Sequence, residues 1–220
     1  MLIELTIEGP DAVSFLHGYV TNDLSSIQPE VGQPMAITNI QGRVIANGWS
    51  YGKTDQVSLV IHPTVENIVR EHLNKYMVFA KSTILETTAV VYLFETPVEG
   101  GINLTPLNWY LNTKPNGANN LDEICVTAEF PIITEPTSGQ FLPQMLALTD
   151  FGTVSFSKGC YLGQEIVARA EHRGAVKRKL KSISVTDDLA PIGTQIRDQD
   201  GKKCTVITRF QNQALVVGQI

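Results

Sequence analysis

The sequence predicts an α+β fold with a β-rich C-terminal part, on three observations. Strand-like and helix-like periodicities alternate over the first eighty residues. From Lys179 the pattern turns to period two with tight turns between the runs. The chain is 43% hydrophobic and 18% charged, which suits a buried core and excludes intrinsic disorder.

Leu2–Ile7 alternates as a short strand, and Gly9-Pro10-Asp11 opens a helix from Ala12 to about Tyr19, with Val13, Leu16 and Val20 on one face. Met35–Ile40 and Val44–Tyr51 read as two strands joined through Gln41-Gly42-Arg43, a hairpin by its glycine. Gln56–Ile61 is another strand. His62-Pro63-Thr64 then starts a helix whose apolar positions, Val65, Ile68, Val69, Leu73 and Tyr76, follow the 3.6 period. Strands follow within Ser82–Glu86 and Ala89–Phe94, and residues 97–120 read as loop. A short helix is expected after Pro143, and another from Tyr161 to Ala170 with Gly174 as its C-cap. The last strands are Leu180–Val185, Gln195–Asp198, Cys204–Thr208 and Ala214–Gln219, with Asp200-Gly201 turning between the second and third. They predict a small antiparallel sheet or partial barrel. The expected division is 1–96, 97–176 and 177–220.

Composition narrows the function. The longest apolar run, Ala89–Phe94, falls far short of the roughly twenty residues of a membrane span. Glu4 stands where a signal peptide carries bases. A formal charge of −5 argues against nucleic acid as a partner. The three cysteines, Cys125, Cys160 and Cys204, lie far apart without a Cys-x-x-Cys, so neither a disulfide framework nor a cysteine-built metal site follows. The expectation is a cytoplasmic protein with no membrane partner and no metal. Cys125 and Cys204 read as packing residues.

Residues 157–169, SKGCYLGQEIVAR, carry the chemistry. A helix beginning near Tyr161 puts Cys160 in or beside its first turn, where unpaired N–H groups and the positive dipole end favour a thiolate. Lys158 adds a cation two residues earlier, and both effects lower a thiol pKa. Gln164 stands at i+4 from Cys160. Glu165 and Arg169 are also four apart and fit a simple ion pair. His172 on that helix would lie about 18 Å away along the axis, and His17, His62 and His72 show no partner in the sequence. The spacing allows a reactive thiol without naming a reaction. The basic run Lys177-Arg178-Lys179 with Lys181 reads as a solvated face that could also receive an anion.

Lys158-Gly159-Cys160-Tyr161-Leu162-Gly163-Gln164-Glu165 resembles the K-G-C-Y-x-G-Q-E signature of the YgfZ-type folate-binding proteins. These are relatives of the glycine-cleavage T-protein (aminomethyltransferase) that act in iron–sulfur cluster synthesis or repair. The resemblance extends to Phe141-Leu142-Pro143-Gln144 before the signature, and to Ala168-Arg169, Gly174 and Lys179-Leu180 after it. Gly18-Tyr19-Val20-Thr21-Asn22-Asp23 is similar to the family's Q-G-x-x-T-x-D turn, and residues 39–44, NIQGRV, resemble its Q-G-R/K hairpin. The resemblance implies a T-protein/YgfZ-like ring of α+β portions with a short C-terminal antiparallel β-barrel-like portion.

The resemblance also implies tetrahydrofolate, or a derivative, as cofactor, and iron–sulfur proteins or cluster-assembly proteins as partners. Cys160 and Lys158 would form the reactive group. Asn47, Gln41, Arg43, Tyr161, Gln164, Glu165 and Arg169 would shape the folate site. Two alternatives stand beside this accessory role: a folate-dependent aminomethyl transferase and a non-catalytic interaction module. The transferase carries an aspartate where this chain aligns Asn47, and an amide cannot serve as a carboxylate base.

Overall fold

The computed structural model describes residues 1–174, 176–185 and 190–220. Ala175, inside the segment that follows the signature, lies outside the described residues. In chain order come β1 (Leu2–Glu8), α1 (Ala12–His17), β2 (Val31–Thr38), β3 (Val44–Lys53), β4 (Gln56–Ile61), α2 (Glu66–Asn74), β5 (Thr83–Ile84) and β6 (Ala89–Phe94). Then follow β7 (Ile102–Leu104), β8 (Trp109–Asn112), α3 (Leu121–Thr127), α4 (Gln164–Arg173), β9 (Arg178–Ser184), β10 (Gln195–Arg197), β11 (Lys203–Phe210) and β12 (Gln213–Gln219).

Among the described residues the strands form two sheets. The larger runs β4-β3-β2-β7-β8-β6-β1-β5, and β1 also pairs with β4, so the sheet closes into a barrel. Ile3↔Ile61 and Ile7↔Val57 fix the register of that closing pair. β3 is buried almost without interruption along its first seven residues, which reflects cover on both faces. The core packs Trp49 against Phe130 at 5.0 Å between ring centroids, with Phe151 edge-on to Phe130 at 4.9 Å.

Residues 97–120 are not simply loop. β7 pairs with β2 and β8 pairs with β6, so the barrel continues past the division expected at residue 96. These strands are three and four residues long, too short to show a period among so many turn residues. Ile124-Cys125-Val126, which alternates like a strand, instead lies in α3. Asn120 caps that helix by accepting from the N–H groups of Asp122 and Glu123. The packing reading of its cysteine holds, since Cys125 is 1% exposed.

The C-terminal strands form a four-stranded antiparallel sheet in the order β10-β11-β12-β9. Ile207 and Val217 join the main core, while Cys204, Val206, Ala214 and Val216 bury a smaller cluster of their own. Lys181, read as part of a solvated basic face, pairs with Asp198. No helix among the described residues is long and apolar enough to cross a membrane.

Candidate functional site

The signature begins in irregular chain, and that chain is pinned to the N-terminal half. Ser155 N–H donates to Thr21 O at 2.9 Å, and Leu162 N–H donates to Gly18 O at 2.9 Å. Thr21 Oγ1 donates to Thr153 O at 2.6 Å, and Thr38 Oγ1 donates to Leu162 O at 2.6 Å. Gly163, with φ +86, sits so close to the 39–43 hairpin that a Cβ there would stand 2.4 Å from Asn39 O. Three segments far apart in sequence therefore meet: 17–23, 39–43 and 153–164.

Lys158 is the main tie. It is 8% exposed, and its Nζ donates to His17 O at 2.6 Å, Val20 O at 2.9 Å and Asn22 O at 2.8 Å. Burial pushes its pKa down to about 8, so at neutral pH it stays protonated with three donors for three carbonyls. This corrects its expected role as a cation held for the Cys160 thiol: the ammonium is committed to the backbone of the 17–22 turn. Its charge also lies 5.4 Å from the centre of the buried Tyr161 ring.

The helix start is corrected as well. α4 begins at Gln164, behind Gly163 in the left-handed region, and ends on Gly174 as expected. Cys160 therefore precedes the helix and is neither in its first turn nor at helical i+4 spacing from Gln164. Its residue is exposed, in contrast to Cys125 and Cys204. The Leu162 N–H bond to Gly18 holds this stretch to the 17–23 turn, and the close approach at Gly163 sets it against the hairpin.

The other expected site residues separate into groups. Glu165 and Arg169 pair at 2.6 Å on the solvent side of α4. Gln41 and Arg43 are exposed on the hairpin, their N–H groups donating to Asn39 Oδ1 at 3.0 Å each, and Arg43 reaches Gln140 O at 3.3 Å. Gln164 is half-buried. Tyr161 is buried with its hydroxyl unpartnered.

Asn47 departs furthest from expectation. It is fully buried, its Nδ2 donates to Pro131 O at 2.8 Å, and its Oδ1 accepts from Ile133 N–H at 2.8 Å. Both ends of the amide tie β3 to the 131–133 segment, which corrects its expected place on a folate surface.

Two features escaped the sequence reading. His17 Nε2 lies 3.8 Å from the point where a Cβ on Gly159 would stand, next to Cys160 in the chain. Its Nδ1 accepts from Leu24 N–H at 3.4 Å and lies 3.7 Å from Asp23 Oδ1. Burial, then the charge of Lys158, holds its pKa below the ordinary value. The signal available was its position directly ahead of the Gly18–Asp23 turn. The second feature is a cleft of about 520 Å³ where residues 144–150, α4, β9 and the C-terminal Ile220 come together. Gln144 lines it, its Nε2 donating to Val167 O at 2.9 Å and its Oε1 buried without a partner.

The barrel, the smaller antiparallel sheet and the pinned signature loop define a protein of the aminomethyltransferase fold. Among solved structures, the glycine cleavage system aminomethyltransferase T from Bartonella henselae aligns with a TM-score of 0.72 at 11% identity, over 99% of this chain and 76% of that one. This likeness shows the fold alone. No family model matches the chain. The tRNA-modifying protein YgfZ of Klebsiella pneumoniae is 28% identical across 84% of this chain and 70% of its own length. Its namesake from Cronobacter sakazakii is 30% identical across 80% of this chain and 66% of its own. The chain belongs to the YgfZ family and spans about two thirds of the length of the curated relatives it matches.

Proposed function

We propose that this chain is a cytoplasmic, tetrahydrofolate-binding accessory protein for iron–sulfur cluster synthesis or repair, acting through Cys160. One observation carries the reading. The only exposed cysteine among the described residues lies on a loop fastened by Lys158 to the 17–22 turn and by Gly163 to the 39–43 hairpin. A thiol held this way is fixed in place yet open to a partner. Gln41, Arg43, Tyr161, Gln164, Glu165 and Arg169 enter the proposal as residues that would shape the folate side.

The cleft of about 520 Å³ supports the folate part of the proposal. Gln144 Oε1 is a buried acceptor awaiting an N–H donor, which a reduced pteridine ring carries. Lys179 on the wall suits the carboxylates of a glutamate tail, while Ala147, Ala170 and Leu180 suit a flat ring. When bound, tetrahydrofolate supplies a one-carbon carrier. The cleft's own residues would bind and orient it, and Cys160 stands apart from that lining as the exposed thiol.

Aminomethyl transfer loses support at Asn47, which is neutral, buried and bonded at both ends. The curated relatives are named for tRNA modification. With a formal charge of −5, we place any link to tRNA through a partner protein rather than through direct RNA contact.

Anaerobic calorimetric titration of tetrahydrofolate into the wild type and Cys160→Ala, paired with complementation of iron–sulfur enzyme activity in vivo, tests the proposal. Saturable binding in both proteins with activity lost in the variant supports it. Absence of binding to the folded protein would overturn the folate part and favour an interaction module. Full complementation by Cys160→Ala would overturn the thiol's role.

A further inference from the structure

A second cavity, of about 350 Å³, opens beside the 21–23 turn and shares no lining residue with the 520 Å³ cleft. Asn22, Asp23 and Gln33 give it polar wall, and Pro34, Pro106 and Phe151 give it apolar wall. Asn22 is 4% exposed, and its Oδ1 is buried without a partner.

A chain of hydrogen bonds fixes which end of that lining amide is left without a partner. Gln33 donates from Nε2 to Ser26 O at 3.3 Å, and a carbonyl only accepts, so the amide of Gln33 has one orientation. Its Oε1 consequently accepts from Asn22 Nδ2 at 3.3 Å. Ser50 Oγ is the second partner of that nitrogen, also at 3.3 Å. Turning the Asn22 amide over would set two carbonyl oxygens against each other. Its Oδ1 is therefore left as a buried acceptor with no donor, an unfavourable state that a ligand's N–H would relieve.

Asp23 places a second acceptor on the same wall. Its carboxylate accepts from Ser25 N–H at 2.8 Å, and hydrogen bonds from Ser25 hold its pKa below the ordinary value. The basic groups nearby do not answer Asn22 Oδ1. Lys158 spends its three protons on main-chain carbonyls, including Asn22 O on the backbone of this turn. His17 stands 3.7 Å from Asp23 and turns its Nδ1 to Leu24 N–H. The lining thus includes a neutral acceptor and an anionic one on consecutive residues, together with proline and phenylalanine rings.

We propose that this cavity binds a small molecule bearing an amidinium or guanidinium group, whose forked N–H donors divide between Asn22 Oδ1 and the Asp23 carboxylate. Such a group is planar, always charged near neutrality and rich in donors with no acceptor, which matches a wall of acceptors between apolar rings. The site is independent of the folate reading, and either stands without the other.

Benzamidine is the probe, titrated into the full chain by calorimetry and ligand-observed NMR, with neutral benzamide as its isostere. The expected result is saturable benzamidine binding, at least about tenfold tighter than benzamide, since one charge-assisted bond is worth about 1.5–3 kcal/mol. Asp23→Asn keeps an oxygen for the Ser25 N–H and should fold with an unchanged Tm, yet lose benzamidine affinity about tenfold or more. Asn22→Ser should also weaken binding, and Asp23→Asn covers the case in which that variant fails to fold. The proposal is overturned by no saturable binding to the folded wild type up to about 10 mM, which would leave only water against Asn22. Equal affinity for benzamide, or an Asp23→Asn protein that binds as the wild type does, overturns it equally.

Discussion

The Lys158 ammonium lies 2.8 Å from the carbonyl oxygen of Asn22, a residue 136 positions earlier in the chain. With His17 O and Val20 O the same ammonium fills the inside of the 17–22 turn. The lysine of the signature is thus a fastener between the two halves of the chain.

Replacing that lysine with methionine keeps much of the volume and removes every donor. The three carbonyls would be left in a buried pocket, and Lys158→Met should cost about 3–5 kcal/mol in urea unfolding. A loss below about 1 kcal/mol would mean that water replaces the ammonium and that the fastening is weak.

Cysteine accessibility gives a direct count. Cys160 is exposed, while Cys125 and Cys204 are buried, and burial holds the thiol pKa of both buried residues above the ordinary value. One equivalent of iodoacetamide should therefore enter the native protein, mapped to Cys160 by mass spectrometry, with two more entering only after unfolding. Cys160→Ala should change stability by no more than about 0.5 kcal/mol, as an exposed substitution does. Alkylation of Cys125 at the same rate would contradict the packing of α3.

Gly163 separates the signature loop from α4. A methyl group there would meet Asn39 O at 2.4 Å and the Gly42 Cα at 2.9 Å, on a backbone at φ +86. Gly163→Ala should destabilise by about 2 kcal/mol or more through strain and displacement of the hairpin. It should also raise proteolysis within 156–163. An unchanged Tm would show that the hairpin yields freely.

Three histidines set the acid limb of the stability curve. His17, His62 and His72 are each held below the ordinary value of 6.5, with burial the largest cause in every case. In the window below 6.5 the unfolded chain holds more protons on these sites than the folded one, so stability rises with pH there. The urea midpoint should fall as pH drops through about 6.5 toward 5 and level off above about 7.5. His17→Gln should reduce that slope. A midpoint that rises on acidification would contradict the burial of these rings.

Asn47→Asp tests the strap directly. A carboxylate can still accept from Ile133 N–H but cannot donate to Pro131 O. The variant should lose about 2–4 kcal/mol at neutral pH and recover part of it on acidification, as the buried acid takes up a proton. A gain in folate-dependent aminomethyl transfer with the stability intact would revive the transferase reading.

The two strands Gln56–Ile61 and Ala89–Phe94 were legible to the residue, because short runs rich in Val, Ile and Leu or Phe and bounded by turn signals leave a strand little freedom. The start of α2 was marked by His62-Pro63, whose ring nitrogen caps the short turn ahead of it. The exposed cysteine and the packing of Cys125 and Cys204 were also within reach of local pattern.

Tertiary structure alone decided the rest. Closure of the barrel depends on β1 meeting β4 and β6 on its two edges, which no window of sequence displays. The role of Lys158 was set by three carbonyls that its neighbours in sequence do not include, and that of Asn47 by the backbone at 131–133. In both cases sequence supplied a side chain with the right donors, and long-range contacts chose the partner. Local periodicity reports which face of an element is apolar, whereas the destination of a buried polar group depends on which unpaired backbone atoms the folded chain brings to it.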